Sequence, residues 1–364
     1  MARSKPVKVA AAEMSSSAVD RAASTAAAAT ATATPSSSSA LTTTARVRST
    51  VAALRRMRAG LPEPAQLALA IVLSFSLNAA GQFLVHSLSG GELSSIMWQP
   101  SSAAGSIPEA LWRIFGLTLA WFGNFDGYDL AALALLSSGP AAYLTSVFYG
   151  VRTITAGAHL GVDVLSSFLP FFLLRQLSGA HSAAPGVTNR EIIVDRGIQV
   201  LTSVLSGQVY SIILFLASRA FLPDTLVLYF EGIPTVRPAT DATVLGNPTT
   251  HVVTLLLGTA ARLFIFTPLV ATPQTGESER ELAKFDPVSA TLQETVAYNL
   301  WGYTSRTKVS IKRTALAMLF TGVGTYLRCL GIRGAEPYGS IVYASVWTMA
   351  TLLAGLSLRY VGSV

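Results

Sequence analysis

One cysteine, few charges and no catalytic signature set the first limits on this 364-residue chain. Cys329 stands alone, so no disulfide forms within these residues and no thiolate metal site can be built. Charged residues make up 12% of the chain, against about 25% in a soluble domain, while 51% are hydrophobic. That balance argues against an ordinary soluble domain and for a chain solvated largely by lipid. No Asn-x-Ser/Thr acceptor exists, because Pro248 blocks the one at Asn247. A phosphate-cradling glycine loop, a Cys/His metal spacing and a Gly-x-Ser-x-Gly elbow are all missing. With only four histidines, these absences rank an enzyme last, and neither metal nor cofactor is expected.

The net charge of +7 belongs to one end of the chain. Residues 1–60 hold nine of the 26 Lys and Arg but only Glu13 and Asp20 as acids; the rest of the chain balances. No aromatic side chains interleave those charges to stack bases, so an anionic membrane surface or an import pathway suits the tail better than nucleic acid. Residues 1–62 are rich in Ala, Ser and Thr and show no hydrophobic period. They read as a disordered basic tail. An Arg-containing, acid-poor N-terminus also fits a mitochondrial transit peptide, although Pro6, Glu13 and Asp20 interrupt the amphipathic helix that one needs.

Residues 63–364 carry eight apolar segments, near 65–86, 110–125, 130–151, 154–174, 198–217, 252–271, 314–330 and 340–358. Crossing the hydrocarbon takes about 20 residues, so the second and seventh are short. The expected fold is an all-α polytopic bundle of about eight spans. With the tail inside, the inner loops collect Arg175, Arg190, Arg196, Arg280, Lys284, Arg306, Lys308, Lys312, Arg313 and Arg359. Arg152, Arg219, Arg237, Arg328 and Arg333 then fall outside. This excess matches the positive-inside rule and places both termini on the cytoplasmic or equivalent side, with the compartment open and a mitochondrial membrane among the candidates. Gly322 and Gly324 permit close helix approach in the seventh segment. The inner loop 272–313 is predicted to hold an amphipathic surface helix. It would be capped by Asp286 before Pro287 and present Leu292, Val296, Leu300 and Tyr303 to lipid. Arg306, Lys308, Lys312 and Arg313 form a basic foot suited to topology anchoring and lipid headgroups.

Three runs, Leu119–Asp126 (LAWFGNFD), Tyr298–Tyr303 (YNLWGY) and Arg306–Thr314 (RTKVSIKRT), give the chain a resemblance. They are similar to a family of uncharacterised multi-pass membrane proteins of filamentous fungi. The resemblance covers the membrane part, implies a fungal integral membrane protein, and brings no activity with it.

Four ionisable residues fall within the segments: Arg113, His159, Asp163 and Arg262. Each costs roughly 2.5–3.5 kcal/mol at a helix centre unless it finds a partner or a wet cavity. On a helical wheel His159, Asp163, Ser166 and Pro170 share one edge of the fourth segment. Gly157 and Gly161 lie on the other edge and invite close packing. A proton or cation site at Asp163, with His159 as relay, is one reading. A structural pair of Asp163 with Arg113 or Arg262, Arg262 being the deeper, ranks above it. Asp126 and Asp129 fall in a turn, where a solvated turn outranks a cation-binding pair. The sequence therefore favours a structural, scaffold-like bundle whose partner is membrane lipid, with a small-solute or ion/proton transporter as the alternative.

Overall fold

The computed structural model describes residues 62–97, 107–240, 247–273, 279–280, 282, 285 and 290–363. The chain divides into a unit Met1–Ala59 and a unit Gly60–Val364, and every described residue lies in the second. The tail reading, Asp286 and Pro287 lie outside the described residues.

Helices joined by turns and loops make up the described residues, with two isolated bridges, Met97 with Ile332 and Phe230 with Ala335. In chain order the helices are α1 Glu63–Leu88, α2 Glu92–Ile96, α3 Ile107–Phe122, α4 Gly127–Val147 and α5 Thr153–Leu174. Then come α6 Gly179–Ser182, α7 Arg190–Val194, α8 Arg196–Ala220, α9 Leu222–Tyr229 and α10 Arg237–Thr240. Next are α11 Pro248–Ala261, a π-helical turn Arg262–Phe266 and α12 Thr267–Ala271. The last are α13 Leu292–Trp301, α14 Ser305–Leu330 and α15 Pro337–Ser363. Among the described residues, six helices are long and apolar enough to cross a membrane: α1, α4, α5, α8, the continuous run Pro248–Ala271, and α15. α3 has only 16 residues, about 24 Å at 1.5 Å per residue. α14 spends its first turns on Arg306, Lys308, Lys312 and Arg313.

Local chemistry sets the starts. The Asp195 carboxylate accepts from Gly197 N at 2.6 Å and Ile198 N at 3.1 Å, capping α8. Asn247 caps α11 ahead of Pro248, and Thr304 caps α14. α13 begins at a reciprocal capping box of Thr291 and Glu294. Leu292, Val296, Leu300 and Trp301 on α13 are exposed, and Tyr303 lies beyond its end.

Cross-contacts fix directions. Gly81 meets Val162, while Arg113 bridges Ser74 and Ser166, so α1 and α5 run antiparallel. Asp129 meets Arg313 and Ser137 meets Arg328, so α4 and α14 run parallel. Gly355 abuts Thr314 and Gly322 abuts Thr348, so α15 returns against α14. We call the end where α1 begins basal and the other apical. At the apical end the loops are tied through Arg333 N to Ile96 O, Glu231 N to Gly334 O and Glu336 N to Tyr229 O, each 2.9 Å.

α4 is the hub. Its residues Leu133, Leu136, Ser137, Ser138, Gly139, Pro140, Tyr143 and Leu144 are all buried. α8 and α11 approach each other closely. There a Cβ on Gly258 would collide with the backbone of Ser203 and Gly207. Gly324 likewise admits the Ser137 side chain. The glycine edge of α5 behaves otherwise: Gly157 is exposed, and nothing lies within 4 Å of a Cβ at Gly157 or Gly161 among the described residues. The expected packing face is corrected accordingly. α5 turns its polar edge inward, burying Asp163, Ser166 and Pro170, and its glycines therefore point outward.

Candidate functional site

Two ionic clusters lie along α4, an apical one and a basal one. The apical one centres on Asp163, 5% exposed. Arg328 Nη2 lies 3.2 Å from its Oδ2, and Arg113 Nη1 lies 3.9 Å from its Oδ1. Arg328 Nη1 also donates to Ser137 Oγ at 3.1 Å. Arg113 donates to Ser74 Oγ from Nε at 3.2 Å and Nη2 at 3.1 Å, and to Ser166 Oγ. Ser166 and Ser167 return their hydroxyls to the Asp163 carbonyl at 3.1 and 3.0 Å, the first on the carbonyl side of the α5 polar edge. One carboxylate thus ties α1, α3, α4, α5 and α14.

Arg113 is a partner of Asp163, and Arg262 is not. Arg262 opens the π-turn, where its buried Nε has no hydrogen-bond partner. The second partner is Arg328, which the sequence placed at the outer end of the seventh segment and counted with the outside charges. α14 runs on to Leu330, so Arg328 sits in its last turn. Helical side chains lean toward the N-terminus, and this lean carries the guanidinium back into the bundle. His159 lies half-buried one turn apical of Asp163 and faces the same cavity, with no hydrogen bond between the two.

That cavity has a volume of about 380 Å³. Arg113, Asp163, Arg328, Ser138 and His159 line it with polar groups, and Phe75, Leu160 and Ile332 with apolar ones. Below the cluster, a smaller cleft of about 70 Å³ passes Leu117, Leu133 and Ala134 to reach Leu130. Arg113, Asp163 and Arg328 line both spaces. The ion cluster therefore stands as a partition between them.

The basal cluster begins one residue beyond Leu130. Asp126 and Asp129 form the capping box that starts α4, and both are buried. They are not the solvated turn that the sequence suggested. Asp129 Oδ1 accepts from Arg313 Nη1 at 2.6 Å, and the guanidinium rests over the rings of Phe125 and Phe264. Asp126 Oδ2 lies 2.7 Å from His181 Nδ1 and accepts from Ser178 N at 2.9 Å. The π-turn supplies the remaining acceptors. Pro268 has no N–H to offer the carbonyls one turn back. Phe264 O takes Arg313 at 2.8 Å and Leu263 O takes His181 Nε2 at 3.2 Å. A carbonyl and a carboxylate only accept, so His181 is held as imidazolium. Asp126, Asp129 and His181 are close enough together to suggest a cation site. Arg313 and the imidazolium already supply its positive charge.

The basic foot therefore divides. Arg313 is an internal ion-pair partner rather than a headgroup contact, because α4 presents Asp129 to it. Lys312 Nζ sits 5.9 Å above the Trp301 ring, Arg306 Nε donates to Thr272 O at 3.0 Å, and Lys308 is half-buried in the first turns of α14. His181 had no sequence signal, since only the fold brings it to Asp126.

Burial opposes charge on the His181 ring, but the Asp126 hydrogen bond and the Asp126 and Asp129 carboxylates outweigh it and raise its pKa. Burial also pushes Asp126 upward, and its bonds to His181, Ser178 and Asp129 overcome this and hold it well below the usual carboxylate range. A raised histidine stabilises fully below the unfolded imidazole value of about 6.5 and loses that contribution as pH rises through its folded value. The lowered Asp126 contributes above about pH 4 and fails only in strong acid. Stability followed by thermal unfolding is therefore expected to decline on the alkaline side of about pH 6.5. In His181→Gln that limb is expected to flatten, and equal slopes in the two proteins would contradict the assignment.

No family model, curated protein or solved structure matches this chain.

Proposed function

We propose that this chain is an eight-span membrane protein that binds a small polar solute in the apical cavity and controls its passage at the Arg113–Asp163–Arg328 partition. The observation that carries the reading is the ion cluster standing between the 380 Å³ cavity and the 70 Å³ cleft. Six long apolar helices support membrane residence. In this reading α3 and α14 complete the crossing, with α3 as a short span. The basal end, rich in Lys and Arg, faces the cytoplasm or its equivalent. Lipid is the surrounding partner, and no reaction is assigned. The scaffold reading explains the five-helix tie at Asp163. It leaves the cavity, with Asn78, Arg113 and Arg328 in its wall, without a purpose.

The test is chemical access. Ala142 lines the cavity, whereas Leu136 is fully buried. Ala142→Cys is expected to react with the small neutral reagent methyl methanethiolsulfonate. Leu136→Cys and the native Cys329, which is fully buried, are expected to stay silent. An unreactive Ala142→Cys would leave the scaffold reading standing.

A further inference from the structure

Resting on the solute-binding reading, we infer that the apical cavity takes a small water-soluble acid, whose carboxylate or phosphate group docks on Arg328 and Arg113 in competition with Asp163.

The argument is a count of charges and donors. Two guanidinium groups, each with a side chain 15% exposed, meet one carboxylate. The buried part of the site is thus one positive charge in excess. Glu109 also lines the cavity but is exposed in the first turn of α3, where water screens it. No other charged side chain lines the cavity among the described residues.

The donors are unequally used. Arg328 spends Nη1 on Ser137 and Nη2 on Asp163, while its buried Nε has no partner. Arg113 Nη1, at 3.9 Å from Asp163, is beyond hydrogen-bond reach. Planar guanidinium forks match the geometry of oxyanions, and in a low-dielectric wall an unpaired N–H is costly. An acid entering from the apical loops finds Arg113 Nη1 open, the Arg328 fork beside it, and a carboxylate that it can displace. The apolar wall of Phe75, Leu160 and Ile332 leaves room for a small carbon skeleton. Asp163 then acts as a tethered counter-ion that closes the site when it is empty.

The test uses the full chain carrying Ala142→Cys in phosphatidylcholine nanodiscs. Labelling rates are measured with anionic, cationic and neutral methanethiosulfonates and normalised to a free thiol. The anionic reagent is expected to be favoured about tenfold over the cationic one. Asp163→Asn is expected to widen that preference, Arg328→Gln to collapse it, and Arg328→Lys to retain part of it. Inorganic phosphate and acetate are expected to slow the neutral reagent. Equal or cation-favouring rates would overturn the inference, as would an unchanged preference in Asp163→Asn if Arg328→Gln does not fold. Slowing that appears only when the nanodisc contains phosphatidylglycerol would assign the site to a lipid headgroup and also overturn it. Failure of the neutral reagent to label at all would instead remove the cavity reading itself, so the two failures are distinguishable.

Discussion

Asp129→Ala is expected to cost about 3–5 kcal/mol, the usual penalty for leaving one charge of a buried pair without its partner. Asp129 is 0% exposed and Arg313 rests over the rings of Phe125 and Phe264. Removing the carboxylate therefore strands a guanidinium whose side chain is only 15% exposed and rests against two aromatic rings. The same change unmakes the capping box at the start of α4, which adds about 0.5–2 kcal/mol in typical cases. Arg313→Ala is expected to be similarly damaging. The double variant should lose less than the sum of the singles, because neither buried charge then remains. Asp163→Asn offers the contrast. Its two arginines border a cavity, so water can take up part of their charge, and its cost is expected to be well below that of Asp129→Ala. Unfolding titrations in mixed detergent micelles would measure all four. A tolerated Asp129→Ala, within about 1 kcal/mol of the native protein, would contradict the placement of Arg313.

Gly258→Leu is expected to prevent recovery of folded protein. A Cβ at this position already meets the Gly207 amide, the Ser203 carbonyl and the Gly207 Cα, all of them backbone. No rotamer change relieves such a clash, so α8 would have to move away from α11 along its length. Ordinary overpacking costs about 1–3 kcal/mol, and a displaced helix pair exceeds that. Gly157→Ala and Gly161→Ala point the other way. Both sites have open space around a Cβ, and alanine is favoured over glycine inside a helix by up to about 1 kcal/mol. Thermal stability of these two variants is therefore expected to hold or rise. Monodispersity after size exclusion would read out Gly258→Leu, and a well-behaved variant would contradict the α8–α11 packing.

The sequence carried the helices well and their contacts poorly. All eight apolar segments are helical, because a long apolar run needs only local information to be recognised. The polar edge of α5 was also legible, since His159, Asp163, Ser166 and Pro170 share a helical face and three of the four are buried. The partners of that edge were not legible. Arg328, at the outer end of the seventh segment, reads as an interfacial charge, and only the fold turns it onto Asp163. Asp126 and Asp129 read as a turn, and only tertiary contact supplies His181 and Arg313. Glycine spacing misled on α5, because the GxxxG pattern states that close approach is allowed and not that a helix comes. The hub helix α4 escaped notice for a physical reason. A helix buried all round carries small apolar and hydroxyl residues without amphipathic contrast, so nothing in its sequence stands out.

The most direct test of the partition is one-sided labelling with an impermeant anionic thiol reagent in oriented vesicles. Ala142→Cys lines the apical cavity, and Ala134→Cys lines the cleft beyond the Arg113–Asp163–Arg328 cluster. From the apical face, Ala142→Cys is expected to react and Ala134→Cys to stay protected. Equal reaction of both positions from that face, or of neither, would contradict the account.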